Sequence, residues 1–354
     1  MSGLSTSRTA RPPVPVIVIA GFLGSGKTTL LNHLLRTAGA TGTRLGVLVN
    51  DFGSVNIDAL LVSAQADGAV SLSNGCMCCT VDADGLADAL TSLVRPSAKI
   101  DAIVIEASGI AEPRSLIRMV TAVADPRLRY GGLVYVVDAA HIHALREDHP
   151  EVDAHMAIAD LILVNKSDLI TGADLRTVEE IVAQLNPTAA AMVTQEARID
   201  PALLFDIDES AGTDEPRSGQ LTLDELLLEE HDHSGHDHLH AGYEAITFRS
   251  DEPLDPRRLA RFLERPPSGC FRIKGIVHFD RPRYRQKFVV HAVGGFVRVS
   301  RESWASRTPS TELVAIGRGL DAEAVNAELQ AAIARPEDAE DEHGILGVLR
   351  HVPD

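Results

Sequence analysis

Cysteine is scarce in this chain of 354 residues: there are four, and three of them crowd together as Cys76, Cys78 and Cys79. Thiols so placed exclude a disulfide framework and predict a reducing, cytoplasmic setting, where they serve as metal ligands or redox groups. Positive charge is also short, with 33 Lys and Arg against 50 Asp and Glu and a formal net charge of −17. That balance argues against a nucleic-acid partner or an anionic membrane surface, and leaves only a local basic cleft of nucleotide size. No apolar run reaches transmembrane length, and the first dozen residues lack the apolar centre of a secretory signal. Residues 1–13 are therefore expected to be a disordered lead-in. What the chain does have is aliphatic bulk, 45% hydrophobic residues, and enough length for two domains.

The organising stretch is 21–28, GFLGSGKT, which fits G-x-x-x-x-G-K-[ST]. Before it, 14–20 is apolar and β-branched like a buried parallel strand; after it, Leu30, Leu31, Leu34 and Leu35 recur at helical spacing. In that context it reads as a P-loop. Gly21, Gly24 and Gly26 let the backbone curl so that its amides, with those around Ser25 and Thr29, face phosphates. Lys27 reaches the β- and γ-phosphate oxygens as a catalytic cation, and the Thr28 hydroxyl ligates Mg²⁺.

Further strands are predicted at 45–49, 69–73, 101–105, 133–137, 161–164 and 189–193, and several end in chemistry-bearing residues. In an open parallel sheet, ligands gather at the carboxyl ends of the strands. Asp51, after the second strand, is a candidate for Mg²⁺ or for a second metal, as is Asp58; each is also readable as an ordinary turn acid. Glu106 ends the fourth strand with Gly109 three residues on. That is the pattern of a nucleotide switch: the carboxylate serves catalysis by holding Mg²⁺ or its water, and the glycine amide senses the γ-phosphate. Asn165, Lys166 and Asp168 form an N-K-x-D motif. Its aspartate accepts from the guanine ring N–H and exocyclic amine, which adenine does not offer, the lysine stem covers the base face, and Asn165 braces the loop.

The three clustered thiols lie between a strand and a helix. In extended backbone Cys76 and Cys78 point the same way; in a helical turn Cys76 and Cys79 do, and spacing alone leaves both open. Thiolates at this density suit Zn²⁺, Cu(I) or Co²⁺ better than Mg²⁺ and need further ligands from elsewhere. From 206 to 242 the chain is acidic and then His-rich, with His231, His233, His236, His238 and His240, which reads as a linker able to collect cations loosely. Residues 243–334 read as a small α+β domain with short strands and two helices, and 335–354 as a tail with a short docking segment. Arg272, Lys274, Arg281, Arg283, Arg285 and Lys287 make this domain locally basic, which a solvated sheet face and ordinary core packing explain without further chemistry, and Cys270 reads as a packing residue.

Taken together, the P-loop, Asn50-Asp51-Phe52-Gly53, Cys76-Met77-Cys78-Cys79, Glu106-Ala107-Ser108-Gly109, Asn165-Lys166-Ser167-Asp168 and the His-rich linker resemble the CobW-like family of metal-handling P-loop GTPases. Lys274-Gly275, Trp304 and Ile316-Gly317 extend the resemblance through the small domain. It implies an α/β P-loop NTPase domain over 14–205 with a mostly parallel sheet, joined by 206–242 to the C-terminal α+β domain. It further implies a GTP- and Mg²⁺-dependent metallochaperone delivering Zn²⁺, Co²⁺ or a related ion to an apo-metalloprotein client, and leaves homodimerisation open. An activator of one metalloenzyme, or a metal buffer whose nucleotide site only stabilises the fold, are the alternatives. Where the family commonly carries Glu residues, 50–55 here offers Asp51 and then Ser54.

Overall fold

The computed structural model describes residues 12–49, 70–71, 83–95, 97–109, 111–205, 243–281, 283–304, 308–335, 338 and 343–352. Among these, seven strands form one sheet in the order β3-β2-β4-β1-β5-β6-β7, with every pairing parallel. The strands are β1 (Val14–Ala20), β2 (Leu45–Val49), β3 (Val70–Ser71), β4 (Ala102–Glu106), β5 (Leu128–Asp138), β6 (Leu161–Asn165) and β7 (Ala190–Val193). Every residue of β1 is buried, as expected for a central strand covered on both faces. Its side chains alternate between two cores: Val16 and Val18 join one, Ile17 and Ile19 the other. Each such side chain contributes about 1.5–3 kcal/mol, so this run of aliphatics fixes the centre of the sheet.

Helix α1 (Lys27–Thr41) covers one face through Leu30, Leu31, Leu34 and Leu35. Helices α2 (Ala83–Leu93) and α3 (Pro113–Ala122) cover the other through Leu86, Leu90, Leu116 and Ile117. Glu112 starts α3 by accepting from the amides of Arg114 and Ser115, beside Pro113 at the first helical position. Strand β5 is longer than its apolar run suggests. It begins at Leu128, because a register shift against β1 at Val16/Ile17, with Gly132 at φ +114°, carries the pairing past Gly131.

A second sheet of five strands has the order β11-β10-β9-β12-β8 and is antiparallel throughout. It comprises β8 (Glu244–Ser250), β9 (Cys270–Val277), β10 (Lys287–Val293), β11 (Phe296–Glu302) and β12 (Thr311–Gly317). Phe271, Val293, Val314 and Ile316 from this sheet enter the same core as α1, so the two sheets share a packed seam. Arg298 reinforces it by donating to the carbonyls of Leu128 and Pro126, Arg318 donates to Ala191 O at 2.6 Å, and Gly269 N–H donates to Thr188 O at 3.3 Å.

Of the two readings of the basic residues, core packing holds for three. Arg272, Arg281 and Lys287 are buried, with Arg272 only 1% exposed, and Arg281 and Lys287 pair with Asp255 and Glu302. Long cationic stems here fill the core while the heads of Arg281 and Lys287 reach acids and, for Arg281, the Asp338 carbonyl. Cys270 is buried as read, and burial pushes its thiol up to about 12, far from a reactive thiolate. The short helix at Leu346–Leu349 docks on the second domain's core through Ile345 and Val348. Among the described residues, no helix is long and apolar enough to cross a membrane.

Candidate nucleotide site

The P-loop leaves β1 and enters α1 with Gly24 at φ +74° and Gly26 at φ +112°, a left-handed path that side-chain-bearing residues resist. At Gly26 space is also limiting, since a Cβ there would sit 2.3 Å from Asn165 Nδ2. Gly26 supplies no side-chain cap and the first turn of α1 holds no acid, so the helix N-terminus keeps its amides for an anion. Ser25 is 1% exposed and its Oγ has no hydrogen-bond partner among the described residues. An orphaned buried hydroxyl inside such a loop fits a phosphate acceptor. Lys27 Nζ donates to the Phe22 carbonyl at 3.1 Å, which holds the ammonium over the loop, whereas Thr29 points to solvent.

Thr28 and Glu106, proposed on sequence for one Mg²⁺ ion, are brought together: Thr28 Oγ1 donates to Glu106 Oε1 at 2.7 Å. They meet because β1 and β4 are neighbours with Ile19 in register with Glu106. A hydroxyl and a 5%-exposed carboxylate are hard oxygen donors of the kind Mg²⁺ takes. Gly109 lies against the P-loop, where a Cβ would be 2.8 Å from Leu23 N, so the segment after Glu106 touches the phosphate cradle. Asp51, Cys76, Cys78, Cys79 and His231, His233, His236, His238 and His240 lie outside the described residues, as does Asp58. Among those described, no group of three or more His, Cys, Asp or Glu is placed to hold a metal ion.

Asn165 ends β6 and is 2% exposed. Its Nδ2 donates to Ser25 O at 2.9 Å and its Oδ1 accepts from Ala197 N–H at 2.8 Å, tying the P-loop to the loop after β7. Glu196 and Ala197 in that loop adopt φ of +52° and +51°, a strained path held by this amide. Lys166 is left-handed too, at φ +60°, and opens the 3₁₀ turn Ser167–Leu169 that presents Asp168 to solvent.

The sequence reading missed Asp138, the last residue of β5. It lies in register with Asn165, and its Oδ2 accepts from Lys166 Nζ at 2.7 Å. Burial pushes its carboxyl up, but hydrogen bonds from Lys166 and His141 outweigh that and hold it below the usual carboxylate range. An acid at the carboxyl end of a parallel strand is the same signal that singled out Glu106. With Phe22, Leu23, Gly24, His141 and Lys166 it lines a cleft of about 440 Å³, a size that suits a small-molecule ligand.

The nucleotide-binding domain model of CobW/HypB/UreG matches residues 15–193. The chain belongs to that family. A second model, the cobalamin synthesis protein cobW C-terminal domain, matches 243–333. Among characterised relatives, the chain is 30% identical to the zinc chaperone CobW of Sinorhizobium sp, over 93% of this chain and 100% of that protein. It is 28% identical to the zinc chaperone YjiA of Escherichia coli K12, over 91% and 98%. A zinc-regulated GTPase metalloprotein activator of Schizosaccharomyces pombe is 35% identical over 55% of this chain and 49% of its own length. Both halves of the family's architecture are therefore present, and the first coincides with the seven-stranded sheet and its nucleotide site.

Proposed function

We propose that the chain is a GTP-hydrolysing metallochaperone that binds a transition metal, zinc first and cobalt second, at Cys76, Cys78 and Cys79 and delivers it to an apo-metalloprotein client. The observation that carries the nucleotide half is the Asn165 brace, which makes the phosphate cradle and the guanine-reading turn one unit. Lys27 and the amides of Gly21, Gly24, Ser25, Gly26, Thr28 and Thr29 bind the phosphates. Asp168 accepts two hydrogen bonds from guanine, which ATP would leave unmade at a cost of about 1–3 kcal/mol for each stranded acceptor. Thr28, Glu106 and Asp51 are the residues that would hold Mg²⁺, which when bound neutralises charge building on the phosphate oxygens. Gly109 donates its amide to the γ-phosphate and loses that partner on hydrolysis, so the segment it belongs to reports the nucleotide state.

The metal half is supported by relatives named zinc chaperones and by the preference of clustered thiolates for borderline and soft ions. The His-rich tract at 231–240 supplies loose accessory ligation that feeds the tighter site. The name of the Schizosaccharomyces pombe relative favours a second reading, a GTP-driven activator of one metalloenzyme. A stable complex with an apo-client, insensitive to the three cysteines, distinguishes it. The enzymatic claim is tested by steady-state turnover with Mg²⁺. GTP is expected to yield GDP and phosphate, ATP to be turned over far more slowly, and Glu106→Gln to lower kcat by about 100-fold. Absence of GTP turnover under every metal condition overturns the enzymatic reading and leaves the metal buffer.

A further inference from the structure

We propose that Asp138 is the positioning residue of the guanine pocket: its carboxylate fixes the Lys166 ammonium so that the lysine stem lies across the base slot before nucleotide arrives. The inference rests on the guanine reading of Asn165, Lys166 and Asp168 and adds how that pocket is held ready.

The geometry follows from the sheet. Asp138 and Asn165 are register partners at the carboxyl ends of β5 and β6, and Ala139 N–H donates to Asn165 O at 3.0 Å. The chain leaving β6 turns left-handed at Lys166, with φ +60° and ψ +32°, which folds the side chain back over the end of β5. There Nζ meets Asp138 Oδ2 at 2.7 Å. The carboxylate is itself fixed: Oδ1 accepts from Ala140 N–H at 3.0 Å, and His141 Nδ1 sits 3.1 Å from Oδ2. Asp138 is 10% exposed at its side chain and Lys166 30%, so the pair is shielded enough to hold while one flank of the lysine stays open to the cleft.

An unheld lysine has four rotatable bonds to order when the base arrives, and immobilising one such side chain costs an affinity factor of about tenfold. Asp138 removes that cost in advance. The ammonium then matters through Asp138 rather than through the nucleotide, which separates this role from direct phosphate binding.

Calorimetric titration of the full chain with GDP, combined with GTP turnover, tests the proposal. Asp138→Asn keeps the turn-capping oxygen and the side-chain size, and Lys166→Met keeps the stem without its charge. Each is expected to weaken GDP binding about tenfold, with the loss falling on KM rather than kcat. The double variant is expected to be no worse than either single one, because both break the same hold. Thermal unfolding of Asp138→Asn within a few degrees of the parent separates a lost hold from a lost fold. GDP binding by Asp138→Asn within twofold of the parent, or losses that multiply in the double variant, overturns the positioning role and leaves the guanine reading standing. Failure of the unaltered chain to bind GDP overturns both.

Discussion

The two ends of β6 bury polar groups to opposite effect. At the carboxyl end, Asn165 is a neutral amide engaged on both sides by Ser25 O and Ala197 N–H, and it joins two loops of the nucleotide site. At the amino end, Asp160 sits against the second sheet, accepting from Tyr130 Oη and Leu133 N–H at 2.8 Å each. Burial pushes its carboxyl up to about 6 despite those two donors. A satisfied amide gives rigidity that does not depend on pH, whereas a buried acid makes a contribution to stability that does. One short strand thus connects a site that must hold its shape to a buried acid whose contribution to stability varies with pH.

Breaking the seam has the largest expected effect. Gly294, in the β10–β11 turn, is at φ +53°, and a Cβ there would lie 1.7 Å from Asp160 Oδ1. Gly294→Ala is expected to cost roughly 4 kcal/mol from left-handed strain plus overpacking, read as a lower urea midpoint. GDP affinity of the folded protein should move by less than about threefold, because the change is remote from the site. A matching loss of GDP affinity would show that seam and site are not separable.

Asp160 sharpens the comparison through pH. Its carboxyl ordinarily titrates near 3.8 and is held here at about 6, so the folded state binds the proton more tightly than the unfolded one. The contribution is full below 3.8 and is lost as pH rises through 6, about 3 kcal/mol in all. Urea unfolding between pH 4 and 7 is expected to show that slope, and Asp160→Asn is expected to flatten it. At the other end, Asn165→Ala strands Ser25 O and Ala197 N–H and is expected to weaken GDP binding by about 2 kcal/mol, roughly 30-fold. Tyr130→Phe is the mildest change, about 1 kcal/mol for one hydrogen bond. It should also move the Asp160 midpoint upward, since the carboxylate loses a donor.

How much of this was legible beforehand differs between the same two regions. β1, α1, Glu106 and Asn165 follow from local signals, since aliphatic runs, glycine spacing and strand-end acids act within a few residues of where they are read. The seam was not legible. Asp160 and Gly294 are 134 positions apart, and nothing in either neighbourhood announces the other. The burial of Arg281 and Lys287 follows no local signal for a related reason: it depends on acids brought in from elsewhere in the chain, Asp255 and Glu302. Asp138 carries a local signal, an acid ending an apolar strand, but its partner Lys166 comes from the next strand's end and is visible only in the fold.

The proposed GTP-driven metal delivery requires that the nucleotide state set metal affinity at the three clustered cysteines, and by linkage that metal raise affinity for the same nucleotide by the same factor. The direct measurement is an anaerobic competition titration with zinc on the full chain, with a non-hydrolysable GTP analogue, with GDP and without nucleotide, repeated on Cys78→Ser. A zinc affinity at least about tenfold higher with the analogue than with GDP, abolished by Cys78→Ser, is the predicted result. Equal zinc affinity in all three nucleotide conditions, or a difference that survives Cys78→Ser, would contradict it.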